Sequence, residues 1–358
     1  MLPTPASFVQ RGGHYTRLHS GSGPAVMQWR SYLFSRSRAT NLAVGIGALV
    51  CALSLLLNLQ LWIASGSASS GDFGVGTRIS GAGSAADFAY SPMSILSTLN
   101  GRLRGLDHLI VVAGHAIWHG CSPNERMDED DWVLEPIQRE QELLGTFFKH
   151  ISKGVELTLA DPKSLLVFSG GQTRPTSLET EGSSYNRLAH SAHLFGAQYN
   201  NSAPFPRATS EQFALDSFQN VLFSIARFHE VTGSYPSRIT IVSFGAKKQR
   251  FSELHAAALR FPSGRFTYVG IDPGNASVER TMFDGERQFG YAPYKEDLYG
   301  CHSGLLAKRR KRNPFFRFHS YYTSAPELAG LLDYCPGASD GGQSAVYKGS
   351  LPWDSRKL

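Results

Sequence analysis

The chain predicts an α/β fold: a three-layer αβα Rossmann-like domain with a parallel sheet, preceded by one transmembrane helix. Two observations carry the domain prediction. Leu109-Ile110-Val111-Val112-Ala113 runs apolar for the length of a strand and stops at Gly114-His115. Leu165-Leu166-Val167-Phe168 does the same and stops at Ser169-Gly170-Gly171. Continuous apolar runs mark strands buried on both faces, and such strands belong to parallel sheets covered by helices. A third observation carries the anchor: 42–64 contains 23 consecutive positions without a charge.

The elements follow in alternation. The first strand spans about 108–113 and leads to a loop bearing Asp128-Glu129-Asp130-Asp131. A helix over about 136–152 places Leu143, Leu144, Phe147, Phe148 and Ile151 on one face. The second strand, 164–169, follows Asp161-Pro162, and helices are expected near 180–196 and 209–229. A third strand is Ile239-Thr240-Ile241-Val242-Ser243, then a helix to about 260, and Phe266-Thr267-Tyr268-Val269 is a fourth strand. Strands alternating with helices imply right-handed parallel crossovers. The domain is expected over 95–275 and an irregular extension, packed on it, over 276–358.

Charge is unevenly placed. The formal net charge is +6, and residues 1–40 hold Arg11, Arg17, Arg30, Arg36 and Arg38 with no acid. The rest is near neutral, which argues against a nucleic-acid partner. As a helix, 42–64 would reach roughly 34 Å, enough for a hydrocarbon core of about 30 Å. The basic tail 1–41 then faces the cytoplasm, and the domain lies in a lumen or outside, beyond a Gly/Ser-rich linker at 65–94. A cytoplasm-facing domain and a mitochondrial presequence are the alternatives. Cys121, Cys301 and Cys335 permit one disulfide without fixing the pair, and Cys51 falls in the expected span.

No GxSxG elbow, no P-loop, no GxGxxG after a strand and no HExxH is found, which removes the simplest hydrolase, NTPase, dehydrogenase and zinc-protease readings. Candidates come from the strand ends, where α/β sheets bind ligands. Gly114, His115, Ser169, Gly170 and Gly171 are expected to bring backbone N–H groups to an anion. Ser243, Lys247 and Arg250 follow the third strand and add cations suited to phosphate or carboxylate. Glu181 begins the helix after Ser-Gly-Gly, and Lys308-Arg309-Arg310-Lys311-Arg312 reads as a solvated helix face, with a nuclear signal or an anion patch as the alternatives.

The order of these pieces resembles the bacterial YdcF/ElyC/SanA-like family, domain of unknown function 218, and more closely its fungal single-pass membrane branch. The resemblance covers about 107–272. It takes in Val111-Val112-Ala113-Gly114, an Arg on the first helix matched by Arg139, Ser169-Gly170-Gly171, and Glu181. Glu211 and Asn220 keep the family's nine-residue separation, while Ala214, Asp216-Ser217 and Gln219 replace its Ser, Asn-Thr and second Glu. Its Thr-Ser-x-x-His-x-x-Arg becomes Val242-Ser243, with Lys247 and Arg250 displaced by one residue. Asp297-Leu298-Tyr299-Gly300-Cys301 and 308–315 resemble the fungal tail.

The resemblance implies a cleft at the strand ends and a role in envelope or membrane processes. Within that cleft Glu181, Glu211 and Asn220 are the catalytic candidates, with Lys247 and Arg250 holding an anion such as a sugar phosphate, lipid head group or nucleotide. Lys247 in the place of His acts as an acid or base near neutral pH only if its pKa is strongly lowered. A non-catalytic binding or scaffold protein and an S-adenosylmethionine-binding protein are the alternative readings. No cofactor or metal is assigned.

Overall fold

A computed structural model describes residues 38–66, 101–139 and 143–354. Two compact units divide the chain, Met1–Gly81 and Ala82–Leu358. In the first, a helix (α1) runs from Arg38–Gly66 and contains the whole of the expected span. Its described side chains cover 44–60, which is 17 positions or about 26 Å of helix. Among the described residues no helix is long and apolar enough to cross a membrane. The expected Gly/Ser linker lies outside the described residues beyond Gly66.

In the second unit, strands form where the apolar runs predicted them: β1 His108–Ala113, β4 Ser164–Ser169, β6 Arg238–Ser243 and β7 Phe266–Gly270. Two two-residue strands, β2 Ile117–Trp118 and β3 Trp132–Val133, make a small antiparallel pair that the sequence did not reveal. The fifth strand of the main sheet is β5, Ala208–Glu211, at the place where a helix was expected to begin. Its Ala-Thr-Ser-Glu pairs along one edge of β4 and lacks the apolar run that gave the others away. The helix starts only at Ser217, because the Asp216 carboxylate accepts the Gln219 N–H at 2.9 Å and caps it there.

All five strands are parallel in the order β5-β4-β1-β6-β7. The chain builds outward from β1 on one side, then returns to β1's other flank with β6. That arrangement has the Rossmann strand order and puts its switch point between β1 and β6. Alternation along the strands separates two cores. Ile110, Val112, Leu166, Phe168 and Val242 face helices α2 (Leu144–Ala160) and α3 (Glu181–Ser191). Leu109, Val111, Leu165, Val167 and Ile241 face helix α4 (Ser217–Thr232). Helix α2 begins eight residues later than expected, since Pro136–Gln138 is instead a short 3-10 turn.

The segment after β6 is not one regular helix. It passes from a 3-10 turn, Gly245–Lys247, into a π-helical stretch, Arg250–His255. The C-terminal region is more ordered than the expected irregular extension: it contains α5 (Ala276–Glu286), a second π stretch at Arg287–Tyr291, and α6 (Ser303–Lys311). A disulfide joins Cys301 to Cys335, which settles the pairing the sequence left open; Cys121 is free. Nor is this region an appendage. Tyr321, Leu328, Leu351 and Trp353 are buried in the same core as α4, and the Trp353 indole N–H donates to the Leu259 carbonyl at 2.9 Å. Truncation of a buried tryptophan costs about 3–5 kcal/mol. Trp353→Ala is therefore expected to lower the urea midpoint of the whole domain in a single transition, whereas a separable tail would leave that midpoint unchanged.

Candidate functional site

A cavity of about 550 Å³ lies at the carboxyl edge of the sheet, reaching from the loop after β1 to the C-terminal region. It lies at the switch point, where open α/β sheets form a crevice. Gly114, His115, Glu181, Asn220, Lys247 and Arg250 all line it. Ser169, Gly170, Gly171, Glu211 and Ser243 do not, and act from behind its wall.

The glycines serve a purpose other than the expected one. The Gly114 N–H donates to the Ser169 carbonyl at 2.7 Å, Gly170 to Glu211 at 3.1 Å, and Gly171 to Ala214 at 2.7 Å. No backbone donor of the three is left for an anion. Instead, a Cβ built on Gly114 would lie 2.6 Å from the Glu181 Cβ, and one on Gly170 would lie 2.7 Å from it. Both glycines make room for Glu181, the first residue of α3. Its carboxylate accepts the Thr173 hydroxyl at 2.6 Å and lies 3.9 Å from Arg174. Arg174 is buried and also paired with Glu135 at 2.9 Å.

Glu211 is placed differently from a cleft-facing acid. It is fully buried at the end of β5 and accepts four hydrogen bonds, from Ser169 Oγ at 2.9 Å, the Phe213 and Ala214 N–H groups, and the Tyr321 hydroxyl at 3.1 Å. Burial pushes its carboxyl up to about 7 in spite of these donors. Ser169 Oγ also lies 3.0 Å from Asn220 Oδ1, so its single hydroxyl proton is shared between Glu211 and Asn220, which reaches the cavity.

The polar centre sits between β1 and β6. Lys247 Nζ lies 3.2 Å from His115 Nδ1, and His115 Nε2 lies 3.1 Å from Ser243 Oγ. The His115 ring stacks on Phe244 at 4.7 Å and meets Phe147 and His150. Burial, with Lys247 next to it, keeps the His115 imidazole well below its ordinary pKa and therefore neutral. A neutral ring that accepts from Lys247 at Nδ1 carries its proton at Nε2 and donates it to Ser243. Burial, then Arg250 nearby, lowers Lys247 to about 7. A lysine so placed meets the condition for proton transfer near neutral pH.

Arg250 is already paired, 3.1 Å from the Glu286 carboxylate, so it is less available to an anion than expected. Arg250 Nε and Glu286 Oε1 still lack partners among the described residues. Other cations arrive from the distant C-terminal region, where the sequence offered an anion patch but not its place at this cavity. Lys308 and Arg312, four apart at the end of α6, line the cavity, and Arg309 between them forms an ion pair with Asp216, the cap of α4. The basic run is thus only partly a solvated face: Lys308, Arg310 and Lys311 are exposed, while Arg309 and Arg312 are partly buried. Its signal was the i, i+4 spacing of the inward members. Among the described residues no carboxylate pairs with Lys247, Lys308 or Arg312, whereas Arg174, Arg250 and Arg309 are all paired. Both π-helical stretches border the cavity, through Arg250 and through Phe289 and Gly290; such bulges are frequent at functional sites.

Arg139 is not on the first helix. It follows the 3-10 turn, half-exposed, 3.7 Å from Glu129, and does not line the cavity.

The chain has a distant relative in yeast. Over 260 residues it is 29% identical to the uncharacterized protein YOR238W of Saccharomyces cerevisiae, covering 60% of this chain and 86% of the other. No family model matches the chain. No solved structure matches it.

The Glu211 network yields a pH-dependent expectation. A hydrogen bond to a neutral carboxyl contributes about 0.5–1.5 kcal/mol and one to a carboxylate about 1.5–3 kcal/mol. Glu211 ionises in the folded protein at about 7 rather than 4.5, so Tyr321→Phe removes the weaker bond at pH 5 and the stronger one at pH 8. The stability difference between wild type and Tyr321→Phe, measured by urea unfolding, is expected to roughly double between those pH values. A difference independent of pH would mean that Glu211 holds the same charge throughout.

Proposed function

We propose that the domain binds a small phosphorylated or carboxylated molecule at the β1/β6 switch point, and that Lys247 and Glu181 are the groups able to move a proton on it. The observation that carries this reading is the set Lys247, Lys308 and Arg312: three cations without carboxylate partners among the described residues, lining one cavity. Lys247 and Arg312 are partly buried, Lys308 is exposed and donates to the Phe289 carbonyl at 2.8 Å, and an anionic ligand supplies the counter-charge that the set lacks. Leu143, Phe251, Val278 and Met282 also line the cavity and are apolar, which suits a ligand whose anionic end is joined to a less polar body such as a nucleoside or a lipid. Asn220, fixed by Ser169, would orient a hydroxyl or carbonyl of that ligand. Glu211 supports from behind rather than acting as an acid or base.

We also propose membership of the YdcF/ElyC/SanA-like family and a bilayer anchor at 42–64. The ordered set Gly114, Ser169-Gly170-Gly171, Glu181, Glu211 and Asn220 supports the first, since all of these converge on one cavity or its wall. The 23 uncharged positions and the basic tail before them support the second, and favour a cytoplasmic tail with the domain on the other side. Extraction of membranes with alkaline carbonate is expected to leave the full chain in the pellet and to release a chain lacking 42–64. Release of the full chain would refute the anchor.

The anion reading is tested by calorimetry and thermal shift with inorganic phosphate, a sugar phosphate and a nucleoside monophosphate. At least one is expected to stabilise the wild type, with affinity reduced about tenfold or more in Lys247→Met and in Lys308→Ala/Arg312→Ala. Lys248→Ala, an exposed neighbour, is expected to bind as wild type does. Lys247 is cationic below about 7 and neutral above, so affinity is expected to fall as pH rises through that value, and to lose this dependence in Lys247→Met. Equal binding by wild type and both cavity variants would overturn the proposal.

A further inference from the structure

Beyond the cavity, the loop that follows α6 carries a surface the cavity does not explain. Phe315, Phe316 and Phe318 are 36%, 90% and 74% exposed, within four residues of one another. Just before them stand Arg310 and Lys311, both exposed and neither paired with a carboxylate among the described residues. Single exposed apolar residues are ordinary, but three phenylalanines beside two free cations are not.

The loop is held in this form. Asn313 accepts the Arg317 N–H at its Oδ1 at 2.8 Å and donates from Nδ2 to the Arg317 carbonyl at 3.0 Å. The Phe316 N–H donates to the Asn313 carbonyl at 3.2 Å. Arg317 turns back, its guanidinium 4.7 Å from the centre of the Phe213 ring. Phe316 itself takes φ of +51°, a region that a bulky residue enters only when its surroundings impose it. The consequence is that a phenylalanine ring points into solvent from a clamped turn.

We infer that residues 310–318 form a contact with an anionic lipid bilayer, with Phe315, Phe316 and Phe318 entering the headgroup–acyl boundary and Arg310 and Lys311 meeting lipid phosphates and carboxylates. An amphipathic surface of aromatic rings beside basic residues is the chemistry that recognises such an interface. A nucleic acid is the less fitting partner. Of the five cations at 308–312, Arg309 is paired with Asp216 while Lys308 and Arg312 line the cavity, so only Arg310 and Lys311 lie beside the phenylalanines and no basic track remains to follow a phosphate backbone. Lys308 and Arg312 line the cavity from the same segment, so the contact would bring the cavity's basic wall close to the lipid surface. The inference does not rest on the anchor proposed for 42–64 or on the ligand proposed for the cavity.

The test is hydrogen exchange of the full-length chain with vesicles of phosphatidylcholine alone and of phosphatidylcholine with one-third phosphatidylserine. A local readout is needed because an anchor elsewhere would bind vesicles without this surface. Exchange over 308–318 is expected to slow by about tenfold or more with the anionic vesicles and not with the neutral ones. Arg310→Glu/Lys311→Glu and Phe316→Asp/Phe318→Asp are each expected to abolish the slowing, while exchange in β1, β4 and β6 stays as in wild type and reports an intact fold. Identical exchange in the two kinds of vesicle would overturn the inference. So would slowing by polyuridine in the absence of lipid with none from anionic vesicles, which would assign the surface to nucleic acid.

Discussion

A parallel sheet that grows in two directions from its first strand must part its connections at that strand, and this constraint organises the rest of the molecule. The segment leaving β1 leads to α2 over one face, while the segment leaving β6 contributes Phe251, Ala258 and Leu259 to the core on the other. Between them the carboxyl edge lies open. His115, Ser243 and Lys247 occupy that opening because each is at, or just beyond, the end of one of the two diverging strands. Burial there is what makes the imidazole neutral and brings the lysine to about 7. The chemistry proposed for the site is thus a consequence of strand order before it is a consequence of any single residue.

The second determinant is how a carboxylate is admitted next to this opening. Glu181 can reach the cavity only because Gly114 and Gly170 leave the space a Cβ would fill. Behind it, Glu211, Ser169 and Asn220 form a closed hydrogen-bonded group, sealed by Tyr321 from the C-terminal region. The C-terminal residues therefore do two things: they complete a core and they complete a site. Asp216 shows the link most plainly, since one carboxylate both caps α4 and holds Arg309, which orients the helix bearing Lys308.

β1, β4 and most of β6 were legible in the sequence because burial on both faces demands hydrophobic runs, while β7, half-buried or exposed along its length, was legible from the aromatic and β-branched Phe266-Thr267-Tyr268-Val269 that ends at Gly270. β5 was not legible, since a four-residue edge strand needs only one partner and carries no such run. The position of the site could be read from the strand ends, but the reason for its glycines could not: bared backbone and a close side-chain approach leave the same trace. Glu181 and Lys247 reach the cavity as expected. Glu211 does not, because spacing along a chain records which residues are near and not which way they face. Lys308 and Arg312 stand some sixty residues beyond Lys247, and only the fold shows that they share its cavity.

The account turns on Lys247, and its protonation is measured most directly by NMR of the protein carrying 13C-labelled lysine, following the Lys247 Cε shift with pH. The structure predicts a midpoint near 7 that moves upward when a phosphate ester is added, because a bound anion favours the ammonium form. A midpoint near the ordinary 10.5, unmoved by phosphate esters, would contradict it.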